Sequence, residues 1–314
     1  MSRGLGDVYK RQFQAALAAY SDAAAIDPNY AELHFRIGTC QLALGNNDEA
    51  LKALERARDH DALAVRADTR INRIIMDAIS SHAGQGVNGV DATVALADVD
   101  PGGIPGQAMF YEHVHLTMAG NYRLARSLAE NVEKVLPDSI TAAGGRGPEE
   151  TEAQACEQRL AVTVWDQKRV WDVALGRISV PPFTSQSSHL RNVRYCKERL
   201  EEVDSRTTPA TPASDRQMYL DALKRKPDDT QIRWNYAQFL ERTGNLSEAI
   251  SQGVIICNQL PHAPWPHYFV GSVMARTGRM TEAAMYLKCA LKIDSNLSHA
   301  KKELEQIQSH YPAN

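Results

Sequence analysis

The feature that most constrains the fold is a pattern of small residues that returns every 34 positions. With Ala31 as position 1, the small residues at positions 8, 15, 20 and 27 are Gly38, Gly45, Ala50 and Ala57. The spacing starts again at Thr230 and at Pro264, so two further units lie back to back near the end of the sequence. A period of this length is typical of stacked structural repeats. It predicts a mainly α chain with repeated helix pairs towards both ends.

Each marked position has a physical reason. Small residues at positions 8, 20 and 27 let the first helix of a pair, helix A, approach the second, helix B. Glycine at position 15 supplies the positive φ that ends helix A, and Pro261 at position 32 ends helix B. The pattern resembles the tetratricopeptide repeat. That resemblance implies a helix-pair solenoid with a groove that binds a protein or peptide ligand.

Position 5 of helix A is aromatic in all three units, as Phe35, Trp234 and Tyr268. In the tetratricopeptide family this position points into the groove, and aromatic residues dominate the binding energy of many interfaces. We therefore predict that these three residues are partner-binding. The alternative, that an aromatic residue here belongs to ordinary repeat packing, stays open.

Partial units flank the full ones. Phe13–Ile26 and Ser214–Arg225 each read as a helix B, and Ser298–Gln308 reads as a polar capping helix. The repeat segments thus cover residues 12–62 and 209–314. Residues 1–11, MSRGLGDVYKR, fit no repeat and are interpreted as a non-native leader. The chain is then expected to be a fragment of a larger protein.

The 34-residue period is absent from residues 63–137. A helix is predicted at Ala62–His82, a strand at Val87–Val90, an extended segment at Met109–Leu116 and a helix from Thr117 to about Leu136. Strand, polar loop and helix in this order predict a partial α/β region. Residues 138–208 are predicted to be a helical connector; its segments are a loop at Gly144–Pro148, helices within Glu149–Ile178 and Gln186–Val203, and a linker at Thr207–Pro212.

Candidate chemistry is concentrated at Glu112, His113 and His115. A carboxylate three residues before a histidine can hold the ring through Nδ1 and leave Nε2 as a general base. Two other interpretations remain. The three side chains could form a metal site, although a third distant ligand is missing, or the two histidines could alternate across an extended segment with a structural role only.

The segment Phe110–Ala125, FYEHVHLTMAGNYRLA, resembles the last conserved block of SGNH/GDSL hydrolases. It is similar above all to bacterial proteins in which tetratricopeptide repeats are inserted into such a domain. Three further segments share this similarity: Ala57–Asn72, Gly103–Gly106 and Val180–His189. The resemblance implies a flavodoxin-like fold in which His115 is the base and Glu112 the acid, acting on an ester such as an O-acylated sugar.

The sequence departs from that family in two ways. The acid is Glu rather than Asp, and the G-D-S block that carries the nucleophile is not in the sequence. A base without its nucleophile does not transfer an acyl group. The predicted function is therefore a protein–protein interaction scaffold. The alternative is an ester hydrolase whose serine lies in sequence upstream of this chain.

The composition limits the classes of partner that the chain is expected to bind. The 35 basic and 38 acidic residues give a net charge of −3, which does not favour nucleic acid or an anionic membrane. No apolar run reaches the roughly 18 residues of a membrane-spanning helix. The five cysteines have no C-x-x-C spacing, which indicates reduced thiols rather than disulfides or a zinc site: Cys40, Cys156, Cys196, Cys257 and Cys289. No cofactor is predicted, and the sequence leaves the compartment open.

Overall fold

The structure is a computed structural model that describes residues 3–97, 103–141 and 152–310, without the side chains of residues 3–7. The described residues form 16 α-helices and a short 3-10 helix, Phe183–Ser185. Contacts divide the chain into two compact units. The first unit is Met1–Gly147 with Ala174–Cys196, and the second unit is Pro148–Val173 with Lys197–Asn314.

The first unit begins with three helices, each packed against the next: α1 (Arg3–Ile26), α2 (Ala31–Leu44) and α3 (Asn47–Asp59). Ala50 is fully buried, and a Cβ added at Gly38 would lie 2.7 Å from Leu54 Cγ. The small residues at positions 8 and 20 therefore allow the close contact between helix A and helix B that the repeat requires. The predicted start of the first helix at Phe13 is wrong, because α1 already begins at Arg3. Whether residues 1–11 are a non-native leader stays a prediction.

Glycine at position 15 closes the same turn in all three units. Gly45, Gly244 and Gly278 have φ values of +83°, +82° and +81°. In each unit the glycine N–H bonds the carbonyl three residues back, and the next N–H bonds the carbonyl five residues back. The second set of bonds is Asn46 to Gln41 (2.9 Å), Asn245 to Leu240 (2.8 Å) and Arg279 to Met274 (3.0 Å). This Schellman turn confirms the predicted end of helix A.

The rest of the first unit is helical where an α/β region was predicted. Its helices are α4 (Thr69–Ser81), α5 (Ala92–Ala97), α6 (Met118–Glu133) and α7 (Asp138–Thr141). The predicted strand at Val87–Val90 is irregular, and in the described residues the only bridge is the isolated antiparallel pair Phe110 and Leu116. The predicted α/β remnant is therefore wrong for the described residues. No neighbouring strand is present there to take the backbone hydrogen bonds of these extended segments.

Capping residues set the boundaries of α4 and α6. The Asp68 carboxylate accepts the Ile71 N–H at 2.7 Å, so α4 begins seven residues after the predicted Ala62. The Thr117 hydroxyl accepts the Gly120 N–H at 3.1 Å, as predicted for this cap. The Thr117 hydroxyl also donates to the Ala108 carbonyl at 2.7 Å, which fixes the start of α6 against the preceding segment.

The second unit contains the two adjacent full repeats. Its helices begin with α8 (Ala153–Arg159), and two longer helices, α9 (Val164–Ile178) and α10 (His189–Ser205), have residues in both units. Then follow α11 (Thr211–Arg225), α12 (Thr230–Arg242), α13 (Leu246–Gln259), α14 (Pro264–Arg276), α15 (Met280–Ile293) and α16 (Ser298–His310). In repeat terms, α12 and α14 are helices A, and α13 and α15 are helices B.

The core of the second unit follows the repeat pattern. The small residues Ala237, Ala249, Ala283 and Ala290 are fully buried. In the polar helix α16, Ala300 and Ile307 are buried in the core, which confirms the predicted capping helix. Helix B of the first full repeat and helix B of the second begin without a side-chain cap. The N-cap positions are Asn46 and Asn245, and neither side chain makes a capping hydrogen bond.

A buried polar cluster attaches α9 to α11. The Asp215 carboxylate on α11 accepts the N–H groups of Val164 (3.2 Å) and Trp165 (3.0 Å), so it caps the start of α9 from a different helix. The Tyr219 hydroxyl donates to Asp166 at 2.6 Å. The connector residues therefore pack on the C-terminal repeats. The predicted linker ends earlier than expected, because α11 begins at Thr211, and the predicted loop at Gly144–Pro148 lies outside the described residues.

Candidate functional site

Aromatic side chains join the helices A of the two adjacent repeats. The Trp234 ring on α12 meets the Trp265 ring on α14 edge to face, with centroids 4.4 Å apart, and the Phe269 ring at 5.0 Å. Trp234 and Tyr268 are half-buried, whereas Trp265 is 37% exposed. We call Trp234, Trp265 and Tyr268 the aromatic surface. Its rings are held by packing and still reach solvent.

Polar contacts continue this surface along the helices A. Arg276 on α14 forms an ion pair with Glu241 on α12. Burial, together with the nearby negative charge of Glu303 on α16, raises the pKa of Tyr268, although a hydrogen bond with Ser272 opposes that rise. Burial likewise raises the pKa of Glu303. Trp234 thus contacts α14, and Tyr268 lies close to acidic residues of both α12 and α16.

Sequence reasoning missed Trp265. It occupies position 2 of its repeat, three residues before Tyr268, and this spacing places both side chains on one face of α14. That spacing was visible in the sequence. It did not indicate a partner-binding residue, because position 2 is not aromatic in the other two full units, where it is Glu32 and Gln231.

Phe35 lies in the first unit and has different surroundings. It is half-buried on α2, and the Arg191 guanidinium lies 5.8 Å from its ring centroid. A cation at this distance is attracted to the ring face. One face of Phe35 is therefore already occupied by a side chain of the same unit, whereas no such cation lies over Trp234 or Tyr268 among the described residues.

The second candidate group surrounds Glu112 in the first unit. Its carboxylate is 1% exposed and contacts the Nδ1 atoms of both His113 and His115. It also accepts the Val114 N–H at 3.1 Å. Burial raises the pKa of Glu112, but the Val114 N–H, His113 and His115 favour the charged form and bring the pKa below its usual value. The predicted pairing of Glu112 with His115 Nδ1 is present.

Two partners of this group come from distant parts of the sequence. Arg177 Nη1 lies 3.0 Å from Nδ1 and 3.1 Å from Nε2 of His115. An atom nearly equidistant from both nitrogens would collide with Cε1 in the ring plane, so Arg177 lies over the ring face. The Phe183 ring lies 4.6 Å from the His113 ring. Within the described chain the polar side-chain contacts of His115 are Glu112 and Arg177, and no serine hydroxyl is among them.

The described residues give little support to a metal site or to a redox-active cysteine. They contain no group of three or more His, Cys, Asp or Glu side chains arranged to hold a metal ion. All five cysteines are free thiols. Burial raises the pKa of Cys257 to about 12, and the nearby Cys289 adds to the rise. No helix in the described ranges is both long and apolar enough to cross a membrane.

Comparisons with known proteins agree with the repeat pattern. Two family models described as tetratricopeptide repeat match residues 9–68 and 216–253. A search of curated proteins finds no match. These matches confirm the prediction of tetratricopeptide repeats towards both ends of the chain, and they give no support to a hydrolase domain between them.

Solved structures of repeat proteins align at low identity. YrrB, described as a TPR protein with an unusual peptide-binding site, is 13% identical, with 92% of this chain and 100% of that chain covered and a TM-score of 0.29. The TPR2AB domain of yeast Sti1, in complex with an Hsp90 peptide, is 11% identical, with 98% of each chain covered and a TM-score of 0.27. The tetratricopeptide repeats are shown by the family models and by the repeated glycine turns.

Proposed function

We propose that the chain is a tetratricopeptide-repeat scaffold that binds a protein or peptide ligand on the aromatic surface of its second unit. The observation that carries this proposal is the position of Trp234 and Tyr268 on consecutive helices A. Their rings are held by neighbouring helices and remain partly open to solvent. Rigid, partly exposed aromatic residues lose little conformational entropy on binding, so they make good anchors.

The chemistry of the surface suggests what it binds. Trp234 and Trp265 offer apolar area, while Glu241, Arg276 and Ser272 beside them offer polar groups of both signs. This mixture suits an extended segment with one or two large apolar side chains. Phe35, whose ring is covered on one face by Arg191, contributes less in this proposal.

A matched pair of tyrosines tests the proposal. A binding peptide is selected from a random displayed library, and its affinity is measured by fluorescence polarisation. Tyr268→Ala and Trp234→Ala should each weaken binding by about tenfold or more. Tyr286→Ala removes a half-buried tyrosine from helix B of the same repeat and should leave affinity unchanged. Equal losses from Tyr268→Ala and Tyr286→Ala would contradict the proposed surface.

Ester hydrolysis is a second candidate function because of one observation: the buried Glu112 carboxylate contacts Nδ1 of the exposed His115 ring. In the hydrolase interpretation, Glu112 orients the ring and His115 is the base that activates a serine. We expect no hydrolysis of p-nitrophenyl acetate by this chain, since no serine contacts His115 in its described part. Activity that His115→Ala abolishes would instead favour the hydrolase.

A further inference from the structure

Helix α4 in the first unit exposes an apolar stripe. Ile71, Ile74 and Ile75 are 48%, 57% and 49% exposed, and α4 contains no buried residue. Their spacing of three and four places them on one face of the helix. The helix is attached near its ends, where the Asp59 carboxylate accepts the Thr69 N–H at 3.0 Å and the Ile79 side chain lies against Gly89. The stripe itself takes no part in these contacts.

Two charged residues lie along one edge of this stripe. Arg70 and Asp77 are seven residues apart, so they share one side of the helix, two turns from each other. Both are exposed, and neither forms an ion pair within the part of the chain that the structure describes. An exposed apolar stripe with charges of both signs along one edge is typical of a helix that pairs with another helix.

The order of these charges along α4 favours a second copy of the same helix as the partner, in antiparallel orientation. If a second α4 runs antiparallel about a two-fold axis midway between the charges, Arg70 faces Asp77 of the second copy and Asp77 faces its Arg70. The three isoleucines of each copy then interdigitate around the axis. A parallel pair would instead set this edge against the opposite edge of the second copy, which carries the uncharged Asn72 and Ile79, and would leave both charges unpaired.

Helix α6 has a comparable stripe without this charge pattern. Leu128 and Val132 on α6, and Val135 in the turn just after it, are about half exposed. The corresponding edge positions are Ser127 and Lys134, which offer no complementary pair. The charged residues Arg126 and Glu130 already bond each other within the helix at 3.0 Å. Complementary charge therefore distinguishes α4 from α6.

We infer that α4 is a self-association surface on which two copies of the chain pair antiparallel through Ile71, Ile74 and Ile75. A stable dimer buries roughly 800 Å² per partner, and three isoleucines within five residues of one helix offer less. The dimer is therefore weak and reversible, with a dissociation constant on the order of 10 μM to 1 mM. The pairing needs no part of the aromatic surface, so its test is independent of the proposed peptide binding.

Sedimentation equilibrium of the full chain from about 5 to 500 μM measures this association across the expected range. The wild-type chain should convert from monomer to dimer with concentration. Ile74→Glu should weaken the dimer by about tenfold or more, while leaving the far-UV spectrum unchanged because Ile74 is exposed. The matched variant Val132→Glu on α6 should dimerise like the wild type.

Charge reversal tests the antiparallel arrangement. Arg70→Asp and Asp77→Arg should each weaken the dimer, since each places like charges together, and the double variant should restore it. The proposal is overturned by a monomer at every concentration, by a dimer indifferent to Ile74→Glu, or by a double variant that stays weak. Ile74-dependent sedimentation with anionic phospholipid vesicles, without a dimer, would identify a lipid surface as the partner and also overturn it.

Discussion

The close approach of helix A and helix B in the last repeat predicts the outcome of one added methyl group. A Cβ at Gly271 on α14 would lie 2.9 Å from Leu287 Cγ and 3.1 Å from both Leu287 Cδ2 and the Ala283 carbonyl. Overpacking of this kind costs about 1–3 kcal/mol. Replacing glycine by alanine inside a helix returns up to about 1 kcal/mol. Gly271→Ala should therefore lower the free energy of unfolding of the second unit by about 1 kcal/mol.

A double-mutant cycle separates these two effects. Leu287 is fully buried, so Leu287→Ala alone should cost about 2–5 kcal/mol. It also removes two of the three atoms that a Cβ at position 271 would meet. In that background Gly271→Ala should be neutral or stabilising, which gives a coupling energy of at least about 1 kcal/mol.

Urea unfolding followed by tryptophan fluorescence measures the cycle. All four tryptophans lie in the second unit, so the signal comes from that unit. With a typical urea slope, a loss of 1 kcal/mol moves the midpoint down by about 0.3–1 M. If Gly271→Ala stabilised the wild type and the Leu287→Ala variant equally, the helices would not be in close contact and the repeat register would be wrong.

Three further predictions concern a turn, a buried carboxylate and a cap. Gly278 has φ +81° with no atom near an added Cβ, so Gly278→Ala should cost about 1 kcal/mol through backbone strain alone, and Gly278→Asn, tested in the same unfolding assay, should cost less. Burial raises the pKa of Asp215 above its unfolded value despite the opposing Trp165 and Val164 N–H groups, so the folded state keeps this proton to a higher pH. The free energy of unfolding should fall as pH rises from about 4 through the folded pKa, and Asp215→Asn should remove that fall; an unchanged slope would contradict the shift. Thr117→Ala should lower the free energy of unfolding of the first unit by about 1 kcal/mol, because the Gly120 N–H loses its acceptor. Circular dichroism of thermal unfolding measures this loss, and an unchanged unfolding curve would show that the cap is unimportant.

The repeats could be predicted because their signal is local and is repeated. Gly45, Gly244 and Gly278 meet the same backbone requirement, and Ala50, Ala249 and Ala283 meet the same packing requirement. Each unit therefore serves as a check on the others. The capping threonine of α6 was also predictable, since a cap involves only residues within three positions of each other.

The middle of the chain could not be predicted in the same way. Extended residues form a strand only when a neighbouring strand accepts their hydrogen bonds, and Val87–Val90 has no such neighbour in the described structure. The contact of Arg177 with His115 spans 62 residues of sequence and has no local signature. The Asp215 cap on α9 is likewise a tertiary contact, so no local pattern shows that the connector packs on the repeats.

The central claim is that successive helices A present one binding surface, and hydrogen exchange of the chain with and without a selected peptide tests it most directly. We predict that the peptide slows exchange in Thr230–Arg242 and Pro264–Arg276, the helices that carry Trp234 and Tyr268. Exchange in the helices B, Leu246–Gln259 and Met280–Ile293, should stay the same. Slower exchange confined to the helices B, or to the first unit, would contradict the account.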